Sequence, residues 1–207
     1  VQAAPAALKK GLPGIGFESI PADTAPVADA VIVPPGYTAK VLVSWGDPIM
    51  PGGVAFKADA SNTADEQMKQ YGMHTDGMHF FPFPGRGQIS SNRGILCANN
   101  EYTHEDILFP DGQIGNGYTI EKCRKSQSAH GVSILEIRRV NGKWNVVKNS
   151  VYGRRLTSNT PMRLSGPAAG HALVKTKEFT ITPTGSVPTG SMSDGIAANG
   201  TINNCAH

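Results

Sequence analysis

Apolar and polar residues alternate along several short stretches of the chain, and a period of two is the pattern of half-buried strands. Over residues 38–45, Ala39, Val41, Val43 and Trp45 alternate with Lys40 and Ser44, and Gly46-Asp47-Pro48 closes the run. Val31-Ile32-Val33 is a second strand-like run, on the other side of Pro34-Pro35-Gly36-Tyr37. Two longer alternating runs, 131–140 and 143–148, flank Asn141-Gly142. Both central positions of a tight hairpin turn need positive φ, which Asn and Gly tolerate, so this is the strongest hairpin signal in the chain. Further strands are predicted over 94–98 and 172–176. One short helix is predicted over 64–71, with Gly72 as its cap. Residues 1–29 read as an extended leader in which Pro13, Pro21 and Pro26 exclude regular structure, and 182–200 reads as a long polar loop.

Composition sharpens this picture. The chain has 207 residues, enough for one domain with a modest core, with 24 glycines and 15 prolines and only 17% charged residues. Dense turns and few charges disfavour a helical bundle and favour short strands joined by tight turns, as in a sandwich or the first blades of a propeller. A net charge of +3 without a basic stripe argues against nucleic acid as partner. No apolar run approaches the roughly 18 residues needed to span a bilayer, so a soluble protein is expected. The small-residue start, Val1-Gln2-Ala3-Ala4-Pro5-Ala6-Ala7, resembles the mature end left by signal-peptide cleavage. Three cysteines fit either one bridge, Cys97 to Cys123, with Cys205 left as a ligand, or three thiols.

Candidate chemistry sits at the ends of the predicted strands. In His74-Thr75-Asp76-Gly77-Met78-His79, Asp76 and either histidine could bind a cation, or Asp-Gly marks a turn. Asn99-Asn100-Glu101-Tyr102 offers a carboxylate beside two amides, the hard oxygens that calcium or ferric iron accepts. His130 reads as a hydrogen-bonded structural residue. Arg154 and Arg155 point to opposite faces of a strand, so at most one enters a pocket, where a guanidinium would suit phosphate. Ser165 to His171 supplies glycines that permit close backbone approach. Cys205, in Asn203-Asn204-Cys205-Ala206, is a soft thiolate ligand or an idle terminal thiol. Zinc-type cysteine pairs, nucleotide loops, Gly-x-Ser-x-Gly and His-Glu-x-x-His are absent from the sequence.

Taken in order, several segments resemble the PhoX-type alkaline phosphatases, a family of secreted bacterial phosphomonoesterases. They are Gly16 to Pro21, Val33-Pro34-Pro35-Gly36-Tyr37, Trp45 to Ile49, residues 76–82 and Asn99 to Thr103. The series continues with His130 to Ser133, Arg154 to Thr157, Gly166 to His171 and residues 200–206. The resemblance implies an all-β fold, a β-propeller incomplete in this chain: a leader over 1–29, then first blades over 30–207. It implies a secreted, periplasmic or extracellular, metal-dependent phosphatase that releases phosphate from phosphate monoesters with an iron and calcium cluster (Fe3+, Ca2+). By the family's Asn-Cys-Ala motif, Cys205 is an iron ligand. Its Asn-His-Glu-Tyr motif falls on Asn99 to Tyr102, where Asn100 replaces the histidine and leaves Glu101 as the ligand candidate. His74 stands where the family tends to carry an amide. Asp76 is a further metal or substrate candidate, and Arg155 is the catalytic candidate that contacts phosphate or orders the shell around it. Family members are longer, so the remainder of the polypeptide beyond His207 is an expected partner. The alternatives are a calcium-dependent propeller lactonase or esterase, which needs only hard oxygens, and a non-catalytic β-rich binding module.

Overall fold

The computed structural model describes residues 16, 18–20, 30–85, 87–112, 117–182 and 185–205. The predicted leader therefore lies outside the described residues, apart from 16 and 18–20. The chain divides into two compact units, Val1–Val41 and Leu42–His207. In the first, Pro35-Gly36 makes a turn closed by the Tyr37 amide on the Pro34 carbonyl at 3.0 Å, and the Tyr37 hydroxyl donates to the Gly16 carbonyl at 2.8 Å.

Neither strand predicted over 31–33 and 38–45 forms. Val31 and Val41 are 78% and 83% exposed, whereas Val43 and Trp45 pack against core clusters without joining a ladder. A strand exists only when a neighbouring edge completes its ladder, and Pro34-Pro35 contributes no donors.

The second unit is mostly antiparallel β with short helices, and its sheets do not close into a barrel. Helix α1 is Ala64–Gln67, started by a reciprocal capping box in which the Thr63 hydroxyl accepts from the Glu66 amide and Glu66 accepts from the Thr63 amide. It ends at Met68, short of the prediction. Gly72 is not its cap; a Cβ there would collide with the Ala129 carbonyl and stand 2.5 Å from Asn100 Cγ, so glycine permits a close approach.

Strands β1 (Thr75–Pro84), β2 (Ile89–Asn100), β3 (Gly131–Val140) and β4 (Lys143–Val146) follow one another across an antiparallel sheet. The outer edge of β3 is shared: Ile137–Val140 pair with β4, and Val132–Ile134 pair with β5 (Arg154–Leu156). Asn141 and Gly142 take the expected positive φ values of 49° and 75°. Strand β2 is longer than the predicted 94–98, and β1 replaces the alternative of a simple loop over 74–79. Ile49, Tyr71, Ala98, Leu135 and Ile137 form the core on one side of this sheet.

Two more helices correct the expectation of one: α2 (Glu105–Leu108) and α3 (Ile120–Ala129). Helix α3 buries Lys122, Lys125, Ser126, Ser128 and Ala129, a face with almost no apolar periodicity for a sequence pattern to report. Leu108, Phe109 and Ala129 join Met73 in a second core cluster.

The predicted strand over 172–176 is a single 3₁₀ turn, Ala172–Val174, in which His171 Nδ1 accepts from the Leu173 amide. The predicted loop over 182–200 instead carries strands. β7 (Lys177–Thr182) pairs with β8 (Gly185–Met192), and β6 (Pro161–Arg163) pairs with β9 (Ala197–Asn199). The β6–β9 pair returns the chain toward the sheet before residues 201–205. Cys97 and Cys123 are not bridged to each other, so the disulfide alternative is not realised.

Candidate functional site

The end of β2 and the start of β1 lie side by side, and this corner gathers the chemistry. From Thr75 to Met78, three steps along β1 pair against two from Asn100 to Ala98. The extra residue falls at Asp76-Gly77, an irregularity of the kind that re-aims a side chain beside a functional site. Glu101 comes directly after the last residue of β2, its amide donating to the His74 carbonyl at 3.1 Å.

Cys205 arrives from the far end of the chain and is held by amide side chains. Asn99 Nδ2 donates to the Cys205 carbonyl at 2.7 Å, and Asn203 Nδ2 donates to the Glu101 carbonyl at 3.2 Å. Asn203 has φ of 55°, a left-handed conformation that asparagine tolerates. The Thr201 hydroxyl donates to Asn204 Oδ1 at 2.5 Å within the same turn.

As a result, one ligand atom each of Asp76, Glu101 and Cys205 lie within 4.8 Å of one another. Metal–oxygen bonds of about 2.0–2.6 Å set ligand pairs on one ion roughly 3–5 Å apart, so this spacing fits a shared cation. The thiolate suits an iron-type ion, and the two carboxylates suit either iron or a hard cation such as calcium. The three residues singled out from sequence as metal candidates are thus brought together, although they span 129 positions (205 − 76). The histidines of the first segment are not part of this group. His74 Nε2 lies 2.9 Å from His104 Nδ1, and the His79 ring tilts against Phe81 with centroids 4.5 Å apart.

Arg155 lies behind this corner. Only 5% exposed, it directs one terminal nitrogen to Asn100 Oδ1 at 2.5 Å and Ser133 Oγ at 2.6 Å. The other reaches the carbonyls of Ser128 at 2.8 Å, in the last turn of α3, and His130 at 2.7 Å, directly after it. Burial pulls its guanidinium down to about 9, an effect that nearby Tyr71 partly opposes. Arg154, its neighbour, is exposed, as alternation along a strand requires. Asn100 is fully buried and accepts from both Arg155 and the Ser133 hydroxyl at 2.5 Å. The buried network therefore anchors the residue immediately before Glu101. His130 is hydrogen-bonded as expected, Nδ1 to the Ser126 carbonyl at 2.8 Å. The segment 165–171 forms an exposed turn on another part of the unit.

The family model for alkaline phosphatase PhoX matches residues 15–207. The chain belongs to the PhoX family. A solved structure, Pseudomonas fluorescens PhoX in complex with vanadate, a transition state analogue, matches with a TM-score of 0.75 at 40% identity. The match covers 92% of this chain and 29% of that one. The present chain thus spans less than a third of that PhoX. No curated protein matches. Among the described residues no helix is long and apolar enough to cross a membrane.

Cys205, Glu101 and Asp76 are legible in the sequence as ligand candidates, but what unites them is not. The amides of Asn99 and Asn203 read as candidate ligand surroundings, whereas in the structure they are clips between backbone segments. The asparagine-rich composition of both segments was the available signal; the pairing between them was not.

Proposed function

We propose that this chain forms part of a secreted, metal-dependent alkaline phosphatase that releases phosphate from phosphate monoesters. The observation that carries the reading is the convergence of Asp76, Glu101 and Cys205 in a chain of the PhoX family. In this reading the three residues hold metal, with the thiolate favouring iron and the carboxylates accepting either ferric iron or calcium. Phosphate monoesters hydrolyse so slowly unaided that accelerations up to about 10²¹ are needed. A multivalent centre held there would supply neutralisation of the phosphate oxygens and a more acidic bound water.

The chain's own residues do the positioning. Asp76 and Glu101 project from a rigid sheet corner, and the Asn99 and Asn203 amides bring the Cys205 segment to it. Arg155, with both terminal nitrogens committed to internal acceptors, orders the shell through Asn100 rather than touching phosphate. The four-strand-wide sheet, with its outer position split between β4 and β5, has the size of a propeller blade, and we read it as one. Further segments of a longer polypeptide would complete the ring and the ligand set, since the matched PhoX is more than three times as long. A calcium-dependent lactonase would need only hard oxygens, so a thiolate in the cluster favours the phosphatase.

Cys205→Ser in the complete metal-loaded polypeptide tests this. Iron content and hydrolysis of a chromogenic phosphate monoester should both fall sharply. Undiminished iron and activity would remove Cys205 from the site.

A further inference from the structure

A cavity of about 300 Å³ opens beside the proposed metal corner. It begins where the ligand strand continues: Tyr102 is the residue after Glu101, and both Tyr102 and Asn203 line the cavity. Asn203 is also the residue that donates to the Glu101 carbonyl, so cavity and metal corner share a wall.

Among the described residues the lining is rich in acceptors and has no lysine or arginine. Glu105 and Asp106 supply carboxylates from the first turn of α2. Glu105 is oriented by the Tyr118 hydroxyl at 2.7 Å and the Ser126 hydroxyl at 3.1 Å, both donating to Oε1. His130 is 7% exposed, and its Nδ1 proton is spent on the Ser126 carbonyl, so Nε2 is the acceptor that this buried side chain offers. Tyr102, 55% exposed, adds an aromatic ring to the lining. Carboxylates beside an aromatic ring and an imidazole lone pair recognise an ammonium group, through charge, hydrogen bonds and cation–π attraction.

We infer that this cavity is the subsite for the alcohol part of the ester, and that it selects phosphate monoesters whose alcohol carries an ammonium group. The inference rests on the phosphatase reading above. It adds specificity-determining residues to that reading, Asp106 and Tyr102, which lie outside the metal group. A phosphoryl group at the corner and a two-carbon amine reaching into the cavity would place opposite charges against complementary surfaces.

The test uses the complete metal-loaded polypeptide and ligand pairs that differ only by an ammonium for a methyl. O-phosphoethanolamine and n-propyl phosphate serve as substrates; 2-aminoethylphosphonate and n-propylphosphonate serve as non-hydrolysed ligands for calorimetry. The amino member of each pair should be preferred by about fivefold or more in kcat/KM and in Kd. Asp106→Asn should bring both ratios toward one while leaving the propyl compounds within twofold, and Asp106→Glu should keep most of the preference. Equal handling of both members, or ratios that Asp106→Asn leaves unchanged, overturns the subsite while the phosphatase reading stands. Failure to hydrolyse either ester or to bind either phosphonate overturns the phosphatase reading and the subsite with it.

Discussion

The side-chain amide of Asn99 donates to the backbone carbonyl of Cys205 at 2.7 Å, joining positions 106 residues apart. Asn99 lies on β2 two residues before Glu101, so this bond ties the thiolate segment to the strand that leads into the carboxylate. A neutral hydrogen bond of this kind contributes about 0.5–1.5 kcal/mol net. Asn99→Leu keeps the side-chain size and removes the donor. Iron affinity in the complete polypeptide should drop several-fold, while the denaturation midpoint moves little. A spectroscopic iron titration would show it, and an unchanged titration would mean that Cys205 is placed by something else.

Arg155 bridges β2, β3 and the end of α3 through four acceptors. Lysine supplies its donors from a single point and cannot span that set. Arg155→Lys should therefore cost about 3 kcal/mol or more, because buried polar partners lose their bonds. Denaturant unfolding measures that loss directly, and metal retention should fall with it. A raised KM for phosphate esters with stability intact would instead place Arg155 in contact with substrate.

Lys125 is buried on α3, with Nζ on the Ala60 carbonyl at 2.5 Å. Burial pulls its ammonium down to about 8 from 10.5, opposed in part by Glu121. The folded protein therefore binds fewer protons than the unfolded chain between about pH 8 and pH 10.5. The penalty for the buried charge is fully present below the folded pKa and is relieved as pH rises through that window, so this group makes stability increase with pH there. The gain should be on the order of 1–3 kcal/mol. Unfolding free energies at pH 8 and pH 10.5, compared with Lys125→Met, would isolate it. The variant should flatten the slope, and an equal slope in both proteins would exclude Lys125 as its source.

Legibility in the sequence varied with how local the determinant was. The hairpin at Asn141-Gly142 forms where expected because two residues in left-handed conformations suffice to turn the chain. The alternation of 38–45 is just as regular, yet no strand forms there, because the run pairs with no neighbouring edge. Helix α3 is not legible in the sequence, because its buried face is built mainly from lysine stems and serines, which carry no apolar period. The stretch that carries β8 and β9 reads as loop because the glycine, serine, threonine and asparagine content of 182–200 resembles turn chemistry, although pairing with β7 and β6 satisfies the two strands' backbones.

The candidate site divides in the same way. Residue types and family motifs pointed to Cys205, Glu101 and Asp76, because thiolate and carboxylate are ligands wherever they occur. Their meeting within 4.8 Å required three long-range events: the extra residue in β1, the pairing of β6 with β9, and the amide clips from Asn99 and Asn203. Side-chain chemistry and turn conformation are properties of a residue and its immediate neighbours, so the sequence alone determined them. Which distant segments come together depends on free sheet edges and unsatisfied backbone groups elsewhere in the chain, and only the tertiary structure decided that.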